Sequence, residues 1–490
     1  MMEKDTYDIC VIGGGINGAG IARDAVGRGY KVLLLEKGDL ACATSSASTK
    51  LIHGGLRYLE QLEFGLVKKA LKERDILMHL APHIVWPMRF VLPHAPGLRP
   101  LWMIRIGVWI YDFLAKGTRL KKSTKTDVKN KYLSKKFKSG IEYSDCCVDD
   151  SRLVVLNAMD TGARGGMVKS RVECESISHD GGQWVVGASD GHEYHAQMIV
   201  NAAGPWASKM MSGVDDIVPK ALRLVKGSHI IVPKLYSESL SYILQNDDGR
   251  IVFTIPYERD YTLVGTTDVD MGGDPDLSPQ LDGAEKQYLK DVVDNYFSKM
   301  IKDIDIVHYY SGVRPLIDDE EGEAAYASRD YDFDVQTIDG LPFLSVLGGK
   351  LTTYRILAQE VVDIVDKQFH KEPHHWTHTE KLPGGDIEDD DFERFFREQV
   401  TEFPFLSKDL IRRYARAYGT CMNIILSGVQ SLDDMGHDLG GGVYGRELDY
   451  LKAYEFAQTG EDVLWRRSKL GLHLDEATQK HVVKYMKDRA

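Results

Sequence analysis

YDICVIGGGINGAGIARDAVGRGYKVLLLE, residues 7–36, is the stretch that decides the fold. It opens with a short β-branched run over 7–12, passes through a glycine-rich turn at 13–20, and continues as an amphipathic helix over 16–29. It closes on KVLLLE, an apolar run that reads as a buried parallel strand. Gly13, Gly15 and Gly18 satisfy G-x-G-x-x-G, and Glu36 ends the second strand 23 residues after Gly13. The pattern is weak alone, but here it follows a strand, opens a helix and is completed by an acidic residue. Gly13 permits the tight turn, Gly15 lets backbone approach a pyrophosphate, and Gly18 lets helix and strand pack closely. Glu36 can accept hydrogen bonds from a ribose diol.

These forty residues leave NAD and FAD both open. Two later stretches favour FAD. IVNAAGPWA (199–207) is a second strand ending in a glycine turn, so Ala203 and Gly204 are expected beside the cofactor. LGGKLTTYR (347–355) is a turn feeding a helix, so Gly349, Lys350, Leu351 and Thr352 can offer amides where charge develops on a reduced flavin. Between the second strand and HGGLRY (53–58), Thr44, Ser45 and Ser46 lie in a loop of small residues that offers hydroxyls to a pyrophosphate.

The remaining composition narrows the class. The 490 residues carry 61 Lys+Arg against 73 Asp+Glu, a net charge of −12, which argues against a dedicated nucleic-acid binder. Six cysteines without a Cys-x-x-Cys pair are the usage of a reducing compartment. No signal peptide and no membrane-spanning run is expected. His374, His375 and His378 fall in a polar linker, and no metal site is expected. The chain divides into 1–80, 141–212 and 335–372 as a discontinuous nucleotide-binding domain, 81–140 and 213–334 as a sheet-rich substrate domain, and 380–490 as a helical domain. An apolar stretch, WMIRIGVWIYDFL (102–114), adjoins 10 basic residues and one acidic residue over 116–138. That is the composition of an interfacial anchor on anionic lipid, or of a buried helix beside a solvated loop.

DLACATSSASTKLIHGGLRYLE (39–60), EYSDCCVDDSRL (142–153), KGSHIIVP (226–233), VGTTDVD (264–270), YSGVRPL (310–316), LGGKLTTYR and LWRRSKLGL (464–472) together resemble the FAD-dependent glycerol-3-phosphate dehydrogenase family. The resemblance implies an α/β, Rossmann-like FAD fold of the glutathione-reductase and D-amino-acid-oxidase type, with an antiparallel-sheet substrate domain and a C-terminal helical domain. It implies oxidation of sn-glycerol 3-phosphate to dihydroxyacetone phosphate and transfer of electrons to a quinone. A peripheral, monotopic position on the cytoplasmic membrane face is implied as well, and a homodimer is a possible assembly. No calcium site like that of the mitochondrial relatives is expected, and no stretch reads as the insertion of the oxygen-using oxidases. Two other readings stay open: an oxidase that uses O₂, and a flavin-binding sensor or scaffold without turnover.

Such a reaction needs a grip on phosphate and an acceptor for a hydroxyl proton. The planar fork of an arginine suits the phosphate. Arg314, at a glycine-flanked strand end before Pro315, is the first candidate and Arg329 the second. HGGLRY places His53, Arg57 and Tyr58 beside two glycines, and Arg57 and Tyr58 match substrate-contacting positions of the family. His53 and His229 are the candidate proton acceptors, since neutral imidazole is available near pH 7.

Overall fold

The structure, a computed structural model, describes residues 6–129, 131–317 and 330–489. Its first sheet is built on the opening motif. Thr6–Ile12 lies parallel to Val32–Glu36 on one side and to Glu193–Asn201 on the other. Met167–Ser170 and Leu341–Gly348 extend the parallel set outward. The outer edge is the antiparallel strand Tyr331–Ile338, and the hairpin Cys174–Asp180 with Gln183–Ala188 pairs with Glu193–Asn201. The central strands are apolar along their whole length because both faces are covered. Helices Ile16–Gly27 and Tyr354–Gln368 share one core with them, in which Ile9, Val11, Ile21, Ala25, Val361 and Val365 are buried. Asp150–Ala163 packs against Ile16–Gly27 through a second cluster that includes Ala19, Val154 and Ala158.

The second sheet has ten strands. Leu222–Pro233 pairs antiparallel with His308–Ile317 and Tyr261–Gly265, and the sheet continues through Ile251–Tyr257, Leu240–Gln245, Val85–His94 and Ser139–Val148. One contact is parallel, Leu240–Gln245 against Val85–His94. Ser139–Val148 belongs to this sheet, so the chain expected to re-enter the nucleotide layer at 141 does so from Asp150 onward. The ten-residue register with Val85–His94 decides this, and it could not be read from the strand's own sequence.

Residues 380–489 form helices around a core of Ile411, Tyr414, Tyr418, Leu448 and Val463, with one short strand pair among the described residues, Asp438–Gly440 and Val443–Tyr444. Buried ion pairs fasten this unit to the nucleotide layer. Arg467 reaches Asp39 at 2.6 and 2.7 Å, Lys469 reaches Asp149 at 3.2 Å, and Arg152 reaches Glu455 at 2.8 Å. Among the described residues no helix is long and apolar enough to cross a membrane.

Candidate active site and cofactor cleft

A single cleft of about 920 Å³ runs from the carboxyl ends of the parallel strands to the face of the second sheet. This is where an open parallel sheet binds its ligand. Gly13, Gly15, Glu36, Thr44, Ser45, Ala203, Gly204, Gly349, Lys350, Leu351 and Thr352 all line it, as do His53, Tyr58, His229 and Arg314.

At the nucleotide end, backbone proximity explains the glycines. Gly13 has φ +114°, and a Cβ there would stand 2.5 Å from the Ala202 carbonyl oxygen. Gly18 is outside the cleft: a Cβ on it would lie 1.9 Å from the Gly13 carbonyl oxygen, so it serves helix–strand packing as expected of the motif. Glu36 accepts from Gly14 N at 2.6 Å and Gly38 N at 2.7 Å. Burial pushes its carboxyl above the usual range, against the pull of these two amides. Each oxygen still has lone-pair capacity for a ribose hydroxyl. Ser45 Oγ accepts from Ile16 N at 2.9 Å, which pins the small-residue loop to the helix start.

Two expectations at this end are corrected. Thr44 lines the cleft, but its hydroxyl donates to the Val313 carbonyl at 2.6 Å and so ties the loop to the second sheet. Ser46 is absent from the wall, because its hydroxyl turns back to the Ala43 carbonyl at 3.3 Å. Asn17, inside the glycine motif, was overlooked. It lines the cleft, its side-chain N–H₂ donates to the Gly348 carbonyl at 3.2 Å, and its buried Oδ1 has no partner among the described residues. It therefore joins the first turn of the chain to the last, GGKLTTYR. Its variable place in the motif gives no hint of this.

The substrate end is assembled across strands. On the paired strands Leu222–Pro233 and His308–Ile317, His229 stands opposite Tyr310, Gly227 opposite Gly312, and Val225 opposite Arg314. Alternation puts all six on one face. The rung between His229 and Arg314 is thus two glycines, over which Arg314 and Ala47 pack closely. Gly227 cannot be larger, since a Cβ would sit 2.1 Å from Arg314 Nη2. Arg314 is held by Asp268 and by Thr266 Oγ1 at 3.0 Å. Its Nη2 also donates to the Thr267 carbonyl at 3.3 Å, so two of the five guanidinium donors stay available to an anion.

His229 is buried, stacks on Tyr310 at 4.9 Å and bonds Thr49 Oγ1 through Nε2 at 3.0 Å. Burial first, then the charges of Arg314 and Lys50, push its pKa well below the ordinary imidazole value, which keeps the ring neutral. His53 lies across the cleft, where its amide donates to Thr352 Oγ1 at 3.3 Å and its ring meets Phe253 edge-on at 6.3 Å. Lys350 Nζ lies 4.0 Å above the Tyr58 ring. Arg57, in the short turn Leu56–Leu59, does not line the cleft, whereas the adjacent Tyr58 does. Arg329 lies outside the described residues.

The donor set suits a long dinucleotide: a ribose acceptor at Glu36, bare backbone at Gly13 and Gly15, and a helix-start turn at Leu351–Thr353. The cleft is also at the large end of small-molecule sites. The fold and cleft define a flavin-dependent oxidoreductase, and the family model for FAD-dependent oxidoreductases matches residues 8–355. The chain belongs to this family and, within it, to the FAD-dependent glycerol-3-phosphate dehydrogenases.

It is 46% identical to the aerobic glycerol-3-phosphate dehydrogenase of Escherichia coli (strain K12) over 492 residues, covering 98% of this chain and 97% of that one. It is 44% identical to the D-erythritol 1-phosphate dehydrogenase of Brucella abortus (strain 2308), over 99% of this chain and 98% of the other. The crystal structure of the glycerol-3-phosphate dehydrogenase from Bacillus halodurans complexed with FAD superposes with a TM-score of 0.78 at 28% identity, covering 100% of this chain and 91% of that one. The cofactor is FAD.

Proposed function

We propose that this protein oxidises sn-glycerol 3-phosphate to dihydroxyacetone phosphate and delivers the electrons to a quinone at the cytoplasmic face of the membrane. The observation that carries the reading is that Arg314, His229, His53 and Lys350 line one cleft. It offers a small polyol phosphate an anion grip and an imidazole on the same wall. Bound FAD supplies the acceptor for the hydride lost from substrate C2. Arg314 holds the phosphate, kept in orientation by Asp268 and Thr266. A neutral imidazole on the wall, His229 or His53, takes the proton of the C2 hydroxyl. Lys350 and Thr352 fix the turn that faces the reacting carbon.

The membrane side of the reading rests on helix Leu101–Leu114. Ile104, Val108 and Tyr111 are buried, whereas Trp102, Ile106, Trp109 and Phe113 form an exposed apolar stripe, with Trp102 and Trp109 each 66% exposed. Lys116, Lys121, Lys122 and Lys125 are exposed just beyond it. An apolar stripe beside clustered lysines suits anionic lipid. A homodimer remains a further proposal for the assembly.

The test is turnover of the purified protein under argon with anionic vesicles carrying a quinone. Dihydroxyacetone phosphate formed in step with quinone loss supports the reading. Peroxide formed in step with substrate loss in air, without quinone reduction, points to the oxidase instead. Preference for a four-carbon polyol phosphate would shift the substrate toward that of the Brucella relative.

A further inference from the structure

Beneath the HGGLRY segment lies a buried polar network that the proposed reaction does not use directly. Gly54 N donates to Tyr111 Oη at 2.8 Å, and Tyr111 Oη donates to Asp145 Oδ2 at 2.7 Å. Asp145 Oδ1 accepts from Arg74 Nη1 at 2.9 Å, and Arg74 also donates to Thr118 Oγ1 at 3.2 Å. Tyr111, Asp145 and Arg74 are each 1% exposed. Four elements meet here: the active-site segment, helix Phe64–Leu80, helix Leu101–Leu114 and strand Ser139–Val148.

A buried Arg–Asp pair contributes little stability over apolar residues of the same size, because both charges lose their water. What this pair supplies is direction. Since the Asp145 carboxylate only accepts, the Tyr111 proton must point to it. That leaves the Tyr111 oxygen as the acceptor for the Gly54 amide, which the Asp145 carboxylate also engages. The fit is close: a Cβ at Gly54 would lie 2.7 Å from Tyr111 Oη. His53, on the cleft wall, is the residue bonded to that amide.

We propose that Tyr111 is a positioning residue: its hydroxyl fixes the Gly54 peptide, and with it the His53 side of the active site, to the buried Arg74–Asp145 pair. The inference rests on the polyol-phosphate reading of the cleft. It also makes the lipid-facing helix and the active-site segment one mechanical unit, since Tyr111 is the inner face of the helix that bears Trp102 and Trp109 on its outer face.

The test is Tyr111→Phe in the FAD-loaded full chain, mixed rapidly and without oxygen with sn-glycerol 3-phosphate. The limiting rate of flavin bleaching falls about tenfold or more, as small misplacements of reacting groups do. The substrate Kd stays within about twofold, because Arg314 stands on a different strand. Asp145→Asn, which keeps an acceptor for the Tyr111 hydroxyl, gives a smaller fall. In the same samples, deuterium uptake by the peptide containing Gly54 becomes about tenfold faster. A limiting rate within about twofold of the wild type overturns the proposal, as does an equal loss of rate and substrate affinity. If wild-type flavin is not bleached at all, the substrate reading has failed. Deuterium uptake then decides the positioning role, and unchanged uptake at Gly54 overturns it.

Discussion

The two ends of the cleft are built by opposite strategies. The nucleotide end comes from one continuous stretch, in which a strand, a turn, a helix and a second strand place Gly13, Gly15, Gly18 and Glu36 within thirty residues. The substrate end is drawn from positions 49, 53, 58, 229, 266, 314 and 350, joined only by sheet pairing and loop packing. Local construction makes the first end rigid and recognisable, and distributed construction makes the second adjustable. That difference fits relatives of like length whose names carry different polyol phosphates.

The contrast predicts how each end fails. The largest effect is expected at the nucleotide end, where a side chain has nowhere to go. Gly18→Ala forces a Cβ to within 1.9 Å of the Gly13 carbonyl oxygen, and overpacking of that kind weakens FAD binding by about 100-fold. The ratio of flavin to protein absorbance after purification reads it. Arg314→Ala, at the other end, leaves FAD bound and raises the substrate Kd by about 100-fold, the loss of paired hydrogen bonds to a charged group. Titration of the flavin spectrum with substrate separates the two results. Loss of FAD from Arg314→Ala would show that the ends are not independent.

A third prediction concerns the proton acceptor. The neutral form of His229 persists well below pH 6.5 in the folded protein. If His229 takes the proton, the rate of flavin bleaching stays level as pH falls from 8 to below 6. An acid limb near pH 6.5 that survives in His229→Asn would move the role to His53. The same shift has a consequence for stability. Burial also holds His83 down to about 3, so the unfolded chain takes up protons that the folded chain refuses. Stability contributed by these rings is complete above the ordinary imidazole pKa of about 6.5. It is lost as pH falls below that value, for His83 down toward about 3 at about 1.4 kcal/mol per pH unit. Thermal midpoints measured between pH 7 and 5 should fall accordingly.

The smallest effect on solution chemistry belongs to the surface helix. Trp102→Ser with Trp109→Ser should leave flavin bleaching by substrate unchanged and reduce sedimentation with anionic vesicles by about tenfold. Undiminished sedimentation would transfer the lipid contact to another face.

How much was legible beforehand follows the same division. The opening motif could be read whole, because its signal is local: strand period, glycine spacing and a terminal acid. The helix fed by LGGKLTTYR, observed as Tyr354–Gln368, was announced by that turn. The glycine rung of Gly227 and Gly312 was invisible, since it exists only once strands 85 residues apart find their register. The same holds for Ser139–Val148, whose sheet is chosen by its partner. Ser46 was chosen for residue type within the right segment, and its hydroxyl turns back to the Ala43 carbonyl. Residue chemistry located the neighbourhood; side-chain direction needed the fold.

The central claim, an FAD cleft that oxidises a small polyol phosphate, is tested most directly by the absorbance of the purified protein without oxygen, before and after sn-glycerol 3-phosphate. The account predicts a flavin band near ~450 nm that disappears on addition of the substrate, as hydride transfer to flavin requires. A flavin band that persists unchanged at saturating substrate would contradict it.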